Sequence, residues 1–473
     1  MVEKNNVMLI AAGTEIMPHP PLGLLSIAAV LREKNHAALI KDYSGIKITD
    51  ELITKDIENA NADIIAISAL TGPYIERGIQ IGRVAKTLGK KVVWGGPHVT
   101  ILPKITLEHP TVDAVVIGEA EATFPKLVDY LRGNGPLPNG VGIKNKDGTI
   151  TITPQADEFV DINTLPLPAW DMLEDIDRYF PYEKHNSVII AATRGCVYKC
   201  GFCHNANKDV KGYGGPYRNL DAARVLKEFG FVCSLTKKHI DRMDIGGDLH
   251  FSSPSYVKKF CQDLIELDSQ AKWNTSSTML GVPEEDIDLI AKAGCESIMF
   301  GVESGSPRIQ MMLGKPIDYE KAKRVTKKLR SKGILVTCTY MMGHPTETWE
   351  EVLMTLKYMR TIQSDQNLLQ FYRPFPGTPY YDLLVEKKGV EPPKKLEDCA
   401  TFGVLGYEVN MTDIPTAKLL GLYYRANLYA QIKFLFNLER FYFRNAMYEQ
   451  FKQTMVNNKF TYKLKEFLVA KKW

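Results

Sequence analysis

The 473-residue chain has no run of about 18 apolar residues, so an ordinary membrane-spanning helix is excluded. The apolar stretch in MVEKNNVMLIAAGTE is too short for a signal-peptide core and runs into a polar loop. An excess of one charge is also missing: 59 Lys and Arg against 55 Asp and Glu leave a formal net charge of +4, which gives no argument for a nucleic-acid partner. The eight cysteines lack the spacing of a disulfide framework. None precedes Cys196, three crowd one short segment, and Cys233, Cys261, Cys295, Cys338 and Cys399 are scattered. That usage suits a reducing, cytoplasmic setting and a metal site. Internal repeats and low-complexity tracts are absent as well. What remains is 45% hydrophobic and 24% charged, a globular balance with length for two or three domains.

Residues 1–135 alternate short apolar runs with amphipathic segments. Strands are expected at Val7–Ala12, Ala37–Asp42, Ile64–Ser68, Lys91–Trp94 and Ala114–Ile117. Helical patterns fall at Gly23–Glu33, Tyr74–Leu88 and Glu121–Leu131. Continuous apolar strands separated by helices indicate an α/β, doubly wound parallel sheet, whose ligands sit at the strand carboxyl ends. Residues 136–186 break the rhythm with turn residues, a hairpin around Asp147-Gly148 and the proline-rich LPLPAW, and read as a linker. A second alternation over 187–385 places strands at Val188–Ala192, Met243–Ile245, Trp273–Thr275, Ser297–Gly301, Leu335–Met341 and Leu368–Phe371, as in a partial α/β barrel. Residues 386–473 form a C-terminal region that is helical from about 415.

After the first barrel strand comes TRGCVYKCGFCHNA. Three thiols spaced C-x-x-x-C-x-x-C, at Cys196, Cys200 and Cys203, can hold a 4Fe–4S cluster on one loop and leave one iron open to a substrate. The other reading is zinc with His204 as the fourth ligand. Zinc sites favour paired C-x-x-C knuckles, and no second pair lies nearby.

With Phe202 before the last cysteine, this segment resembles the radical S-adenosylmethionine (SAM) superfamily, and the similarity runs from about 187 to 385. It continues in Gly246-Gly247-Asp248 after the second barrel strand, in GVESGS at Gly301–Ser306, in GHPTET at Gly343–Thr348 and in PFPGTP at Pro374–Pro379. The resemblance implies SAM contacts from Phe202, Gly246, Gly247, Asp248, Glu303 and Ser304, with Asp248 facing the amino group and Glu303 the ribose. It also implies reductive cleavage of SAM at the cluster to a 5′-deoxyadenosyl radical, fed by an electron donor such as flavodoxin or ferredoxin.

A parallel domain ahead of such a barrel resembles the cobalamin-binding subgroup. Ser68-Ala69-Leu70 matches its S-x-L, Gly95-Gly96 its glycine pair, and Glu119 falls in GEAEATF, where Glu119 and Glu121 either meet corrin amides or open the next helix. The subgroup's D-x-H-x-x-G is missing. The loop reads GTEIMPHPPLG, and His19 stands one residue too far from Gly23. The expectation is cobalamin with no protein histidine on cobalt.

Such a chain is expected to transfer a methyl group to an unactivated carbon, one SAM charging the corrinoid and a second supplying the radical. An oxidative cyclase or skeleton-rearranging enzyme of the same subgroup is the alternative, and a non-catalytic cobalamin or iron–sulfur sensor a remote one. A methylthiotransferase would carry further cysteines in its first domain. After Pro415 the chain has eleven Lys or Arg against three Glu, among many aromatics. That composition suits either helices covering the barrel or contact with a lipophilic, anionic small molecule or a membrane surface.

Overall fold

A computed structural model describes residues 6–15, 18–156, 159–182, 186–206, 216–402 and 410–437. The first half builds on β1 (Asn6–Ala11), β2 (Ala38–Asp42), β3 (Ala62–Ser68), β4 (Lys91–Gly95) and β5 (Ala114–Val116). These strands run parallel in the order β2-β1-β3-β4-β5. Alternate side chains of one strand serve opposite faces. Val7 and Leu9 pack with helices Leu22–Glu33 and Phe124–Leu131, while Met8 and Ile10 pack with Asp50–Ala60 and Tyr74–Thr87. The hairpin expected in the linker is present: β6 (Val141–Lys144) pairs antiparallel with β5, and β7 (Ile150–Ile152) antiparallel with β6, extending the first sheet.

The second sheet comprises β8 (Asn186–Arg194), β9 (Arg218–Asn219), β10 (Ile240–Gly247), β11 (Lys272–Ser277), β12 (Cys295–Glu303), β13 (Leu335–Met342) and β14 (Gln366–Phe371). Its order is β14-β13-β12-β11-β10-β8-β9, parallel except for the short β9. Apart from β9, strands that neighbour in the sheet follow one another in the sequence, each joined to the next through a helical crossover, as in a barrel wall. The wall stays open, because β14 does not pair back to β8. Helix Thr416–Asn437 packs on β14 instead, where Asn427 donates to the Leu369 carbonyl at 3.1 Å. No helix among the described residues is long and apolar enough to cross a membrane. Most of the basic C-terminal tail, residues 438–473, lies outside the described residues.

The two halves do not keep separate cores. One apolar cluster runs from Leu9 and Leu25 through Trp170 into Ile190, Ile245 and Phe300. The other joins Ile67, Ile75 and Trp94 to Tyr380, Leu396, Cys399 and Phe402. Between the sheets, residues 159–182 are held at several points. Ala169 N donates to Leu25 O (3.0 Å), the Tyr179 hydroxyl to Asp42 (2.7 Å), and Arg32 pairs with Asp171 (2.6 Å). Arg224 of helix Ala222–Leu235 donates to the carbonyls of Leu165 (3.1 Å) and Pro166 (2.8 Å), fixing the proline segment to the barrel.

Candidate active site

The carboxyl ends of β1, β3, β4 and β5 face the carboxyl ends of β8 and β10 across one cavity of about 460 Å³. Ser68, Gly95, Gly96 and Glu119 line it from the first sheet, and Thr193, Gly247 and Asp248 from the barrel. Leu165, Pro166 and Pro168 close it from the linker. The glycines are what keep it open. A Cβ placed on Gly23, Gly95 or Gly118 would meet no atom within 4 Å, so each leaves room that any side chain would take. Gly96 differs: it holds φ at 96°, and a Cβ there would press on the Ala69 carbonyl and the Ser68 hydroxyl at 3.2 Å. Leu70 projects from the same strand end, 44% exposed, and does not line the cavity. His19 is exposed and also stands outside it.

At the seam the charges pair across the halves. Arg194, ending β8, binds Glu121 (2.5 Å) and Glu119 (3.4 Å), and Arg218 of β9 donates to both oxygens of Glu119. Ser26 donates to Glu121 at 2.8 Å. Burial alone would raise the Glu121 carboxyl, but the Arg194 guanidinium holds it below the ordinary range. The Glu119 carboxylate is thus committed to two arginines, a role the sequence did not suggest.

The cysteine loop leaves β8 through Gly195, in a left-handed conformation (φ 78°), whose N–H donates to Asp248 Oδ2 at 2.6 Å. Beneath it Gly247 abuts Thr193, so closely that a Cβ would collide with the Thr193 carbonyl. The Cys203 amide donates to Cys200 O (2.8 Å) and the Tyr198 amide to Cys196 Sγ (3.4 Å), winding the loop into tight turns. Gly201 lies against the Tyr380 ring and accepts from the Tyr380 amide at 3.0 Å, so the PFPGTP segment buttresses the loop from behind. Phe202 is partly buried on that side, against the core that contains Tyr380.

None of the three cysteines is in a disulfide. Burial raises all three thiols, Cys200 to about 12. Thiols so shielded ionise only against a strong positive partner, which the irons of a cluster provide. Among the described residues, no three His, Cys, Asp or Glu side chains converge on the position of a single metal ion. His204 instead stands 4.0 Å from Asp248.

Glu303 ends β12 in a left-handed conformation (φ 69°) rare for a residue with a side chain, and it is 8% exposed. Lys315 donates to its Oε1 at 2.6 Å. Ser304 is fully buried, with its hydroxyl shared by Thr355 (3.1 Å) and the Ser306 amide (3.1 Å), so it shapes the turn after β12. Ser306 caps helix Pro307–Leu313 and donates to Glu351, which Arg308 also grips at 2.8 and 2.5 Å. Sequence reasoning passed over Arg194, Arg218, Lys315 and Tyr380. Only Lys315 left a trace, as the residue after the glycine that ends a short helix following GVESGS.

Residues 190–359 match the radical SAM superfamily and residues 10–128 the B12 binding domain. An uncharacterised methyltransferase of Pyrococcus horikoshii is 29% identical over 77% of this chain and 78% of its own length. The anaerobic magnesium-protoporphyrin IX monomethyl ester cyclase of Rubrivivax gelatinosus is 26% identical over 80% of this chain and 68% of its own. In fold, the chain is similar to the radical SAM methyltransferase TsrM of Kitasatospora setae, solved with cobalamin and a [4Fe–4S] cluster. The TM-score is 0.69 at 16% identity, over 83% of this chain and 76% of TsrM. The chain carries a B12-binding domain followed by a radical SAM domain.

Proposed function

We propose that this chain is a cobalamin-dependent radical SAM enzyme that methylates an unactivated carbon of a small organic molecule. The observation that carries this reading is the single cavity in which Ser68, Gly95 and Gly96 face Gly247 and Asp248. Methyl transfer requires the corrinoid and the radical source to reach one substrate, and a shared cavity provides for that. The methyltransferase of Pyrococcus horikoshii, similar over most of both chains, supports it. When bound, the cluster supplies an electron to SAM and the corrinoid supplies a methyl group.

The chain's own residues do the rest. Cys196, Cys200 and Cys203 would hold the cluster through their thiolates. Asp248, steadied by the Gly195 amide through one oxygen, offers the other to the amino group of SAM. Glu303, steadied by Lys315 through Oε1, offers its second oxygen to the ribose hydroxyls. Gly23, Gly95 and Gly118 would give the flat macrocycle its room, Ser68 would offer it a hydroxyl, and His19 stands outside the cavity. The proline segment and the Arg194 and Arg218 clasp fix the facing geometry, and apolar walls at Leu9, Ile27 and Phe124 keep water from a radical.

Similarity to the cyclase favours a second reading, in which the same radical closes a ring or rearranges a skeleton. One experiment separates them. The protein is reconstituted anaerobically with iron, sulfide and cobalamin, and given methyl-deuterated SAM, a reductant and a small-molecule extract. Mass spectrometry then follows 5′-deoxyadenosine and label. A deuterated methyl in product supports methylation, unlabelled product with 5′-deoxyadenosine supports cyclisation, and no 5′-deoxyadenosine overturns both.

A further inference from the structure

Lys315 stands where the barrel wall meets the cysteine loop, and four local features put it there. Helix Pro307–Leu313 is tied to the end of β12 by Gln310, whose amide donates to the carbonyls of Val302 and Ser304 (2.7 Å for the latter). The helix stops at Gly314, left-handed at φ 69°, which approaches the Lys199 carbonyl inside the cysteine loop. The next residue is Lys315, buried and bonded to Glu303. Room for the pair comes from Gly301, where a Cβ would stand 2.5 Å from Glu303 Oε1 and would also overlap the Lys315 ammonium.

The ammonium is buried beside the cysteine loop, because its neighbour Gly314 lies against Lys199, the residue that precedes Cys200. An ammonium has three N–H donors, and Glu303 takes one. A cation and an anion thus sit side by side at a centre that must accept an electron.

We propose that Lys315 is a charge-compensating, positioning residue for the iron–sulfur cluster: seated against the cysteine loop and paired with Glu303, it makes the bound cluster easier to reduce, while Glu303 makes it harder. This rests on the cluster reading of Cys196, Cys200 and Cys203. The step is one-electron: the cluster gains an electron from a one-electron reductant, and no bond breaks. At an effective dielectric of about 20, a unit charge several ångströms away changes such an equilibrium more than tenfold.

The test uses full-length, reconstituted protein without SAM, whose iron and sulfide are counted first. A redox titration with dithionite and dye mediators then follows the reduced cluster by electron paramagnetic resonance. Lys315→Met should lower the midpoint potential by at least the tenfold equivalent, about 59 mV for one electron. Lys315→Arg should hold it near the parent value. Glu303→Gln should raise it, and the double variant should return towards the parent. Unchanged potentials in cluster-loaded Lys315→Met and Glu303→Gln would overturn the proposal, and so would shifts of the same sign, which mean general loosening. If Lys315→Met loads no cluster, Glu303→Gln decides alone: a raised potential supports the proposal and an unmoved one overturns it. A parent protein that binds no iron fails the cluster reading itself, a distinct result.

Discussion

The two walls of the cavity are made by opposite means. On the first sheet, space comes from what is missing: Gly23, Gly95 and Gly118 project nothing, and the nearby carboxylates Glu119 and Glu121 are already bound by arginines. On the barrel, the site is crowded. Three shielded thiols, the Glu303–Lys315 pair and a left-handed Glu303 are held in place by Gly201 on Tyr380 and by Gly301. A cradle shaped by absent side chains admits a large, flat, mostly neutral group and tolerates being empty. A knot of buried polar groups is stable in proportion to what fills it.

The largest effect should come from removing the knot's ligands. With Cys196, Cys200 and Cys203 all replaced by Ala, iron content and 5′-deoxyadenosine formation should fall to background while corrinoid binding persists. Retention of about four irons per chain would break the contrast. Filling the cradle is the mirror experiment. Gly95→Leu adds bulk where a Cβ meets nothing, so corrinoid binding should be lost, the melting temperature kept, and SAM still cleaved. Normal corrinoid uptake, followed by its visible absorption, would mean the cradle lies elsewhere.

A smaller loss is expected for Glu303→Gln, which would remove the charged hydrogen bond proposed to the ribose. SAM affinity measured by calorimetry should drop roughly ten- to hundredfold with the corrinoid unaffected. Breaking the seam by Arg218→Met leaves Glu119 with Arg194 alone and should cost on the order of 1–3 kcal/mol in denaturant unfolding.

The smallest effect concerns acid. The Arg308 guanidinium holds the Glu351 carboxyl down at about 2. A depressed folded pKa adds stability above the unfolded value of about 4.3, and that stability is lost as pH falls towards 2. Arg308→Met should therefore lower the unfolding midpoint at pH 6 and leave it nearly unchanged at pH 2.5. A uniform decrease at both pH values would assign the loss to packing.

How much of this was legible in the sequence depended on range. The core strands declared themselves because each carries its own apolar run, as IIAIS and KVVWG do. The pairing of β6 and β7 with β5 was not visible, since a short, partly exposed hairpin has no signal for its partner. Glycines and cysteines could be picked out because their chemistry is local. Arg194, Arg218 and Tyr380 could not, because each acquires its role from a residue distant in sequence, as Arg218 does from Glu119, 99 residues away, and Tyr380 from Gly201. The inward turn of the Ser304 hydroxyl onto Thr355, 51 residues away, was invisible for the same reason.

The sharing of apolar clusters between the halves has a consequence for how the chain is made. One flank of helix Tyr74–Thr87 is covered by Leu396, Cys399 and Phe402, and Gly72 N donates to Cys399 O at 3.0 Å. During synthesis that cover arrives about 300 residues later, between Thr87 and Leu396. At ordinary elongation rates of about 5–20 residues per second, the wait is roughly 15–60 seconds. For that time the nascent first half carries a bare apolar strip, a natural binding place for a ribosome-associated chaperone. The same timing makes a fragment ending near residue 135 a poor vehicle for expression. Its five parallel strands would all be present but the apolar strip would stay uncovered, and it should aggregate unless residues 379–402 are supplied.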